Sequence, residues 1–502
     1  MTGEAVMDEK KALTRRDFIK SSVASALALS CAPAFGQLAA CSGLPEWKGL
    51  SYPKLLLKNF RLFDGETNGL LGGTALLIEK GLIQGVERDA DVADLKGYKI
   101  VDLKGKTLLP GLIDAHVHIT VPFMYKVNLQ TLRQMEPQIA LNFRNCVMSG
   151  VTTVRDVGGF PGKINKFREL CDSGRIPGPR VISSLSPIAA RRGQVLGAPE
   201  QAPYFTNPVI KRLIGGNYAE RPENVEEIRE ACREMIESGA QWLKTLYQEK
   251  AHSPVPRMLP NHTDEGYRAI VAIGRKRGLR CALHEPEVRG FVKGVEWGFD
   301  TLEHMPNDAV IPEGVIERFM RRGMAMVPTM MAFADDLIAE ELLDLINRRG
   351  DEYMMPEAVR QMRGGLEKAV ARMKGKVEWA AYSKGIVERA RANLARMHKM
   401  GAVICAGSDI GGTLSGFFGR FVDELVHCSD AGISNFRVLK MATSVNANML
   451  GMRNEIGAIR KGAHADLIVV EGDPLRDLGA LRRVLMVMRG GVFMKAGDFL
   501  KA

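Results

Sequence analysis

The chain has 502 residues, enough for an α/β barrel with smaller accessory parts. Hydrophobic residues make up 46% and charged residues 25%, which excludes a disordered, collagen-like or disulfide-scaffold chain. The formal charge of +11 raises a nucleic-acid reading, but basic and acidic residues are interspersed and aromatics are 6%, so no nucleic-acid partner is expected.

Residues 14–20 read TRRDFIK, and Arg15 and Arg16 precede the weakly apolar run SSVASALALS that starts at Ser21. This resembles a twin-arginine export signal, so residues 1–40 are expected to be a signal peptide and the twin-arginine export machinery a partner. The run is too short and too polar for a membrane span, which takes about 20 apolar residues. Leu38-Ala39-Ala40-Cys41 resembles a bacterial lipobox, in which Cys41 would carry a lipid anchor; ordinary cleavage after Gly36 is the alternative. Either route gives an exported bacterial protein, periplasmic or anchored to a membrane as a lipoprotein. Loss of residues 1–40 removes five basic and four acidic side chains and leaves +10, a mild field favouring anionic substrates or an acidic membrane surface. Cys146, Cys171, Cys232, Cys281, Cys405 and Cys428 sit singly with no CxxC pair, so free core thiols are expected.

After the leader, residues 53–105 carry β-like pieces broken by Gly and Asp, and a matching stretch returns at IGAIRKGAHADLIVVEGDP and VLMVMRGGVFMKAG. Residues 41–105 and 455–502 are therefore expected to build one small β-sandwich domain from both chain ends. Between them lie eight short apolar runs: LLPGLIDAHVHI, GVTTVRDVGG, PRVISSLSPI, AQWLKTLYQ, LRCALHEP, DTLEHM, MAMVPTM and AVICAGSDIGG. Helical patterns separate them, most clearly over Asn224–Ser238, where Asn224 caps and Val225, Ile228, Cys232 and Met235 form a stripe. Eight strands alternating with helices predict an α/β fold, a (β/α)8 TIM barrel over residues 106–454. An open doubly wound sheet would want a glycine-rich phosphate loop after its first strand, and none stands there. Residues 330–400 read as a helical insertion on the catalytic face, either a lid or a solvated surface excursion.

The barrel reading gathers unusual residues at strand ends. His116 and His118 are two apart, so on a strand both point to one side, and two converging imidazoles make half of a metal site. His284, His304 and Asp409 end the fifth, sixth and eighth strands. Lys244 lies in the apolar run AQWLKTLYQ, where an unpaired ammonium is costly to bury. Reaction with carbon dioxide would turn it into an anionic carbamate able to bridge two metals; an unmodified Lys244 paired with Asp409 is the alternative. Neutral His and anionic oxygen donors suit zinc-like divalent ions.

In this order, GLIDAHVHI, GVTTVRD, WLKTL, ALHEP, TLEHM and AGSDIGG resemble the metal-dependent amidohydrolase superfamily, in the branch of imidazolonepropionase-like proteins and Xaa-Pro dipeptidases. The resemblance covers roughly residues 53–495. It implies two divalent metal ions of the Zn2+ type: His116, His118 and Asp409 at one, His284 and His304 at the other, and Lys244 as the carbamate bridge. It further implies a metal-bridging hydroxide as nucleophile, with Asp409 as general base and then acid. The expected substrate is a small-molecule amide, a dipeptide or N-acyl amino acid, and the expected assembly a homo-oligomer. One alternative is a cyclic-amide hydrolase or deaminase that uses His284 with Glu287; another is a barrel lipoprotein without catalysis. Where the family often has a Gly and His segment, this chain has Arg191 and Arg192, which suit a substrate carboxylate or serve as loop charges. Tyr247 is a candidate oxyanion donor or a buried core residue.

Overall fold

Each of the eight central apolar runs contains a strand in the computed structural model, which describes residues 47, 49–92, 95–121, 128–191, 193–194, 219–412 and 416–500. The expected leader, residues 1–40 with Arg15, Arg16 and Gly36, lies outside the described residues, as do Cys41 and Arg192.

The N-terminal part supplies β1 (Leu50–Ser51), β2 (Lys54–Leu62), β3 (Leu71–Glu79), β4 (Leu82–Arg88) and β5 (Lys99–Pro110). The centre supplies β6 (Leu112–Val117), β7 (Val151–Asp156), β8 (Arg180–Ser183), β9 (Trp242–Leu246), β10 (Arg280–His284), β11 (Thr301–Glu303), β12 (Ala325–Val327) and β13 (Val403–Ile404). Every residue of β6, β7 and β9 is buried. Burial on both faces is why these strands read as unbroken apolar runs, as parallel strands covered by helices do. The intervening helices are α1 (Leu129–Met148), α2 (Pro161–Asp172), α3 (Val225–Glu237), α4 (Asp264–Lys276), α5 (Val288–Trp297) and α6 (Glu313–Arg321). Asn224 caps α3 by accepting from Glu227 N at 2.9 Å, and Ile228, Cys232 and Met235 form its buried stripe.

All neighbouring central strands are parallel, but they fall into two sheets, β6-β7-β8 and β13-β12-β11-β10-β9, rather than one continuous ring. Leu185, two residues beyond β8, and Asp409, five beyond β13, take φ of 59° and 60°. Isolated contacts still join the two sheets along both remaining edges. Ile188 N donates to Lys244 O at 2.8 Å on one side, and Ala115 N donates to Ala406 O at 2.9 Å on the other.

The C-terminal part returns as β14 (Leu467–Val470), β15 (Val484–Arg489) and β16 (Val492–Lys495). Both chain ends share one hydrogen-bonded sheet, in the order β1-β16-β15-β14-β5-β2-β3-β4. Long β5 is the reason: it pairs in parallel with β2 along most of its length and antiparallel with β14 at its end, so one strand serves both halves. Alternate residues Leu55 and Leu57, Leu76 and Ile78, Val101 and Leu103, Leu467 and Val469, and Met486 and Met488 enter one hydrophobic cluster. Each buried aliphatic side chain of this kind is worth about 1.5–3 kcal/mol.

The insertion is helical as expected: α7 (Met330–Ala334), α8 (Ala339–Tyr353), α9 (Pro356–Gly375) and α10 (Val377–Lys399), followed past β13 by α11 (Phe421–Asp430) and α12 (Asn435–Lys440). It is tied down at two places. Met355 N donates to Gln138 Oε1 at 2.7 Å and Glu357 N to Gln134 Oε1 at 2.9 Å, both on α1. Asn393 of α10, 2% exposed, donates to Pro306 O and Ala309 O at 2.8 Å each and accepts from Ile311 N at 3.1 Å. The six cysteines of the described residues are free and buried. Among the described residues, no helix is long and apolar enough to cross a membrane.

Candidate metal centre

The C-terminal ends of β6, β9, β10 and β11 and the segment after β13 bring the sequence candidates together. His116 and His118 face the same side, with ring centroids 5.5 Å apart. Their Nε2 atoms stand 3.3 and 3.1 Å from Asp409 Oδ1. One donor atom from each of the three falls within 4.8 Å of the others, an arrangement able to hold a metal ion. The His304 ring lies 4.9 Å from that of His116 and 4.3 Å from that of His284, so four imidazoles form a continuous row. Lys244 is 3% exposed, and its Nζ has no hydrogen-bond partner among the described residues. His116 Nε2 is also buried without one, because its approach to Asp409 is not aligned as a hydrogen bond.

Backbone geometry makes this convergence possible. His304 and Asp409 are non-glycine residues at φ of 75° and 60°, and Thr329 beside them is at 45°. Such conformations cost about 1–3 kcal/mol each and cluster where side chains must be aimed. Asp409 N donates to His116 O at 2.8 Å, which locks the two ligands together. Gly411, at φ of 97°, passes so close that a Cβ would stand 2.3 Å from His118 O.

Each imidazole is oriented by its other nitrogen. His116 Nδ1 meets Glu303 Oε2 at 2.7 Å, His118 Nδ1 meets Gly158 O at 2.7 Å, and His304 Nδ1 meets Thr329 Oγ1 at 2.8 Å. His284 differs: its Nε2 meets Gln248 Oε1 at 2.9 Å, which leaves Nδ1 to face the site. Behind Asp409, Ser408 donates to Asp114 through Oγ at 2.6 Å and through N at 3.0 Å.

The electrostatics keep two of the four imidazoles neutral, whereas His118, although burial opposes it, is raised by its contact with Asp409. Burial pushes His284 and His304 well below the usual imidazole range, so both are neutral. Burial would raise Asp409, but the imidazoles of His116 and His118 hold it well below the usual carboxylate range. Burial pushes Lys244 down to about 8, against the pull of Glu303 and Asp409.

The substrate candidates of the described residues are engaged with neighbouring groups. Arg191 is exposed and ion-paired with Glu223. The Tyr247 hydroxyl donates to Glu249 Oε1 at 2.7 Å, and its ring packs edge-on against Tyr267 and Trp297. Glu287 accepts from Glu249 N at 2.6 Å. Sequence reasoning missed Glu303, Arg155, Thr329, Gln248 and Asp114. A signal was there for three of them: Arg155, Glu303 and Asp114 are charges inside apolar strands, as Lys244 is.

A model described as "Amidohydrolase family" matches residues 107–494. Ochratoxinase from Aspergillus niger is 22% identical over 453 residues, covering 86% of this chain and 84% of that one. Imidazolonepropionase from Salinispora arenicola is 22% identical over 297 residues, covering 56% and 68%. Among solved structures, a Xaa-Pro dipeptidase with methionine bound in its active site superimposes with a TM-score of 0.69 at 22% identity, covering 88% of this chain and 100% of that one.

Proposed function

The chain belongs to the amidohydrolase family, and from that premise we propose a metal-dependent hydrolase that cleaves an acyclic amide bond in a dipeptide or N-acyl amino acid. As a family member it is a hydrolase of carbon–nitrogen bonds. The prolidase-type and ochratoxinase relatives support the acyclic substrate class. We read the two parallel sheets, joined along both edges, as halves of one TIM-type barrel.

One observation carries the metal reading: two buried nitrogens, His116 Nε2 and Lys244 Nζ, lack hydrogen-bond partners among the described residues and stand beside Asp409 and three further imidazoles. Leaving such groups unbonded in a core is expensive unless they have a ligand. Neutral imidazoles and a carboxylate suit zinc-like divalent ions, so the residues fit the group. His116, His118 and Asp409 would hold one ion and His284 and His304 a second, with Lys244, once carboxylated, between them. Such ions supply an activated water and polarise the substrate carbonyl. Asp409, held ionised, accepts the proton of the attacking water and delivers it to the departing nitrogen. His116 and His118 keep its carboxylate aimed, and the Asp114–Ser408 pair fixes the backbone just before it. No observation favours the deaminase reading, since Glu287 is engaged with Glu249 N.

The reading is tested by screening dipeptides and N-acyl amino acids for release of free amine by metal-loaded protein. Lys244→Ala should lose metal and regain part of it with added short carboxylates; two metals retained without a carboxylate would remove the carbamate. We also propose export through the Arg15-Arg16 leader with lipid on Cys41. N-terminal sequencing that begins at Gln37 would replace the lipid anchor by plain cleavage after Gly36.

A further inference from the structure

Behind His116, away from the cluster, lies a charged group that the proposed mechanism does not use. Glu303 is wholly buried at the end of β11, and Arg155 is wholly buried in β7. Arg155 Nη2 donates to Glu303 Oε1 at 2.7 Å and to Oε2 at 2.8 Å. Its Nη1 donates to Thr301 Oγ1 at 3.0 Å, and its Nε donates to Ala115 O at 2.6 Å. The guanidinium also lies 4.6 Å from the ring centre of Trp242 in β9. Thr301 donates its hydroxyl proton to Glu303 Oε1. The Glu303 carboxylate also makes a 2.7 Å contact from Oε2 to His116 Nδ1.

Arg155 therefore grips the site twice. It holds the carbonyl of Ala115, the residue before His116, and it holds the carboxylate behind the His116 ring. The carboxylate only accepts, so the proton of a neutral His116 must sit on Nδ1, and the Nε2 lone pair is turned toward Asp409. His118 and His304 rest on neutral acceptors, a carbonyl and a hydroxyl. Of these three imidazoles only His116 has an anionic partner at Nδ1. A carboxylate behind a ligating imidazole fixes its tautomer and raises its basicity.

We infer that Glu303, clamped by Arg155, is a positioning residue that acts through His116 to set the affinity and geometry of the metal centre. The inference rests on the metal reading above. Its test titrates Co2+ into the metal-stripped full-length protein and follows the visible d–d absorption of the ion and its competition with a chelator. Glu303→Gln removes the charge. Glu303→Asp keeps a counter-charge for Arg155, which guards folding, but draws the carboxylate back by one methylene. Both variants should bind Co2+ roughly 10–100-fold more weakly and shift the d–d bands. Thr329→Val, which removes a neutral partner of His304, should weaken binding less. Wild-type protein that binds no Co2+ would overturn the metal reading itself. Wild-type protein that binds, with folded Glu303 variants matching it in affinity and spectrum, would overturn this inference and leave the metal reading standing.

Discussion

Asn393 offers a way to decide whether the helical insertion opens as a lid or stands as part of the wall. Its side chain is buried and makes three hydrogen bonds to the loop after His304: to Pro306 O, Ala309 O and Ile311 N. Asn393→Leu keeps the branched shape and removes every bond. Two carbonyls and one amide then lack partners, each costing about 1–3 kcal/mol if it stays buried. Some will find water as the loop relaxes, so a net loss of ~3 kcal/mol is expected. Unfolding entropy near 2.1 cal/mol/K per residue, over a unit spanning Lys48–Ala502, gives about 1 kcal/mol/K, so Tm should fall by about 3 °C. Local opening should rise by roughly 100-fold. Hydrogen–deuterium exchange followed by mass spectrometry reads this directly, with peptides from 306–311 and from α10 speeding up together. An unchanged loop and a Tm within 1 °C of wild type would mean that α10 is not anchored there, and the lid would return.

Other perturbations test separate parts of the argument. Burial pushes the Glu424 carboxyl up from an ordinary value near 4.5 to about 8, although it accepts from Met331 N at 2.8 Å. The folded state thus keeps a proton that the unfolded chain releases, so this group's stability is full below pH 4.5 and lost as pH rises to 8, by about 5 kcal/mol at most. Glu424→Gln keeps an acceptor without the titration, so its Tm advantage over wild type should grow from pH 5 to pH 8; parallel curves would refute the shift. Stripping metal with a chelator should lower Tm, and free Zn2+ at about 100 times its dissociation constant should return ~2.7 kcal/mol. No metal by mass spectrometry and no change in Tm would sink the metal centre. Asp409→Asn should fold and bind substrate yet lose turnover, and full activity in that variant would remove the proton shuttle. Gly411→Ala should fail to fold or lose metal, since its Cβ would press on His118 O.

The central strands were legible because burial on both faces leaves them apolar throughout. The candidate ligands stood out because charged or imidazole groups at the ends of such runs are costly to bury without a partner or a metal. Lys244 stood out on this ground, and Arg155 and Glu303 could have. Their roles were not readable, since they meet across 148 positions and nothing local pairs them. Tyr247 shows the opposite limit: an aromatic near the site suggests a donor, but its hydroxyl is satisfied by Glu249 two positions on. Arg191 is likewise neutralised by Glu223, beyond a stretch whose course no spacing rule predicts. The outer sheet was recognised from alternation at both ends. Alternation says which side a residue faces, not which strand is its neighbour, so the shared role of β5 was invisible.

That shared strand also sets a timetable for the newborn chain. Thr107, in β5, donates its hydroxyl proton to Gly472 O, 365 residues later. At roughly 5–20 residues per second, the first strands wait about 20–70 s for their partners to be synthesised. Through that interval Leu55, Leu57, Val101 and Leu103 lack the C-terminal half of their cluster, and β5 offers an open edge. The last strand ends at Lys495, so maturation is complete only when almost the whole chain has left the ribosome. Until then the edge of β5 that β14 will cover stays open.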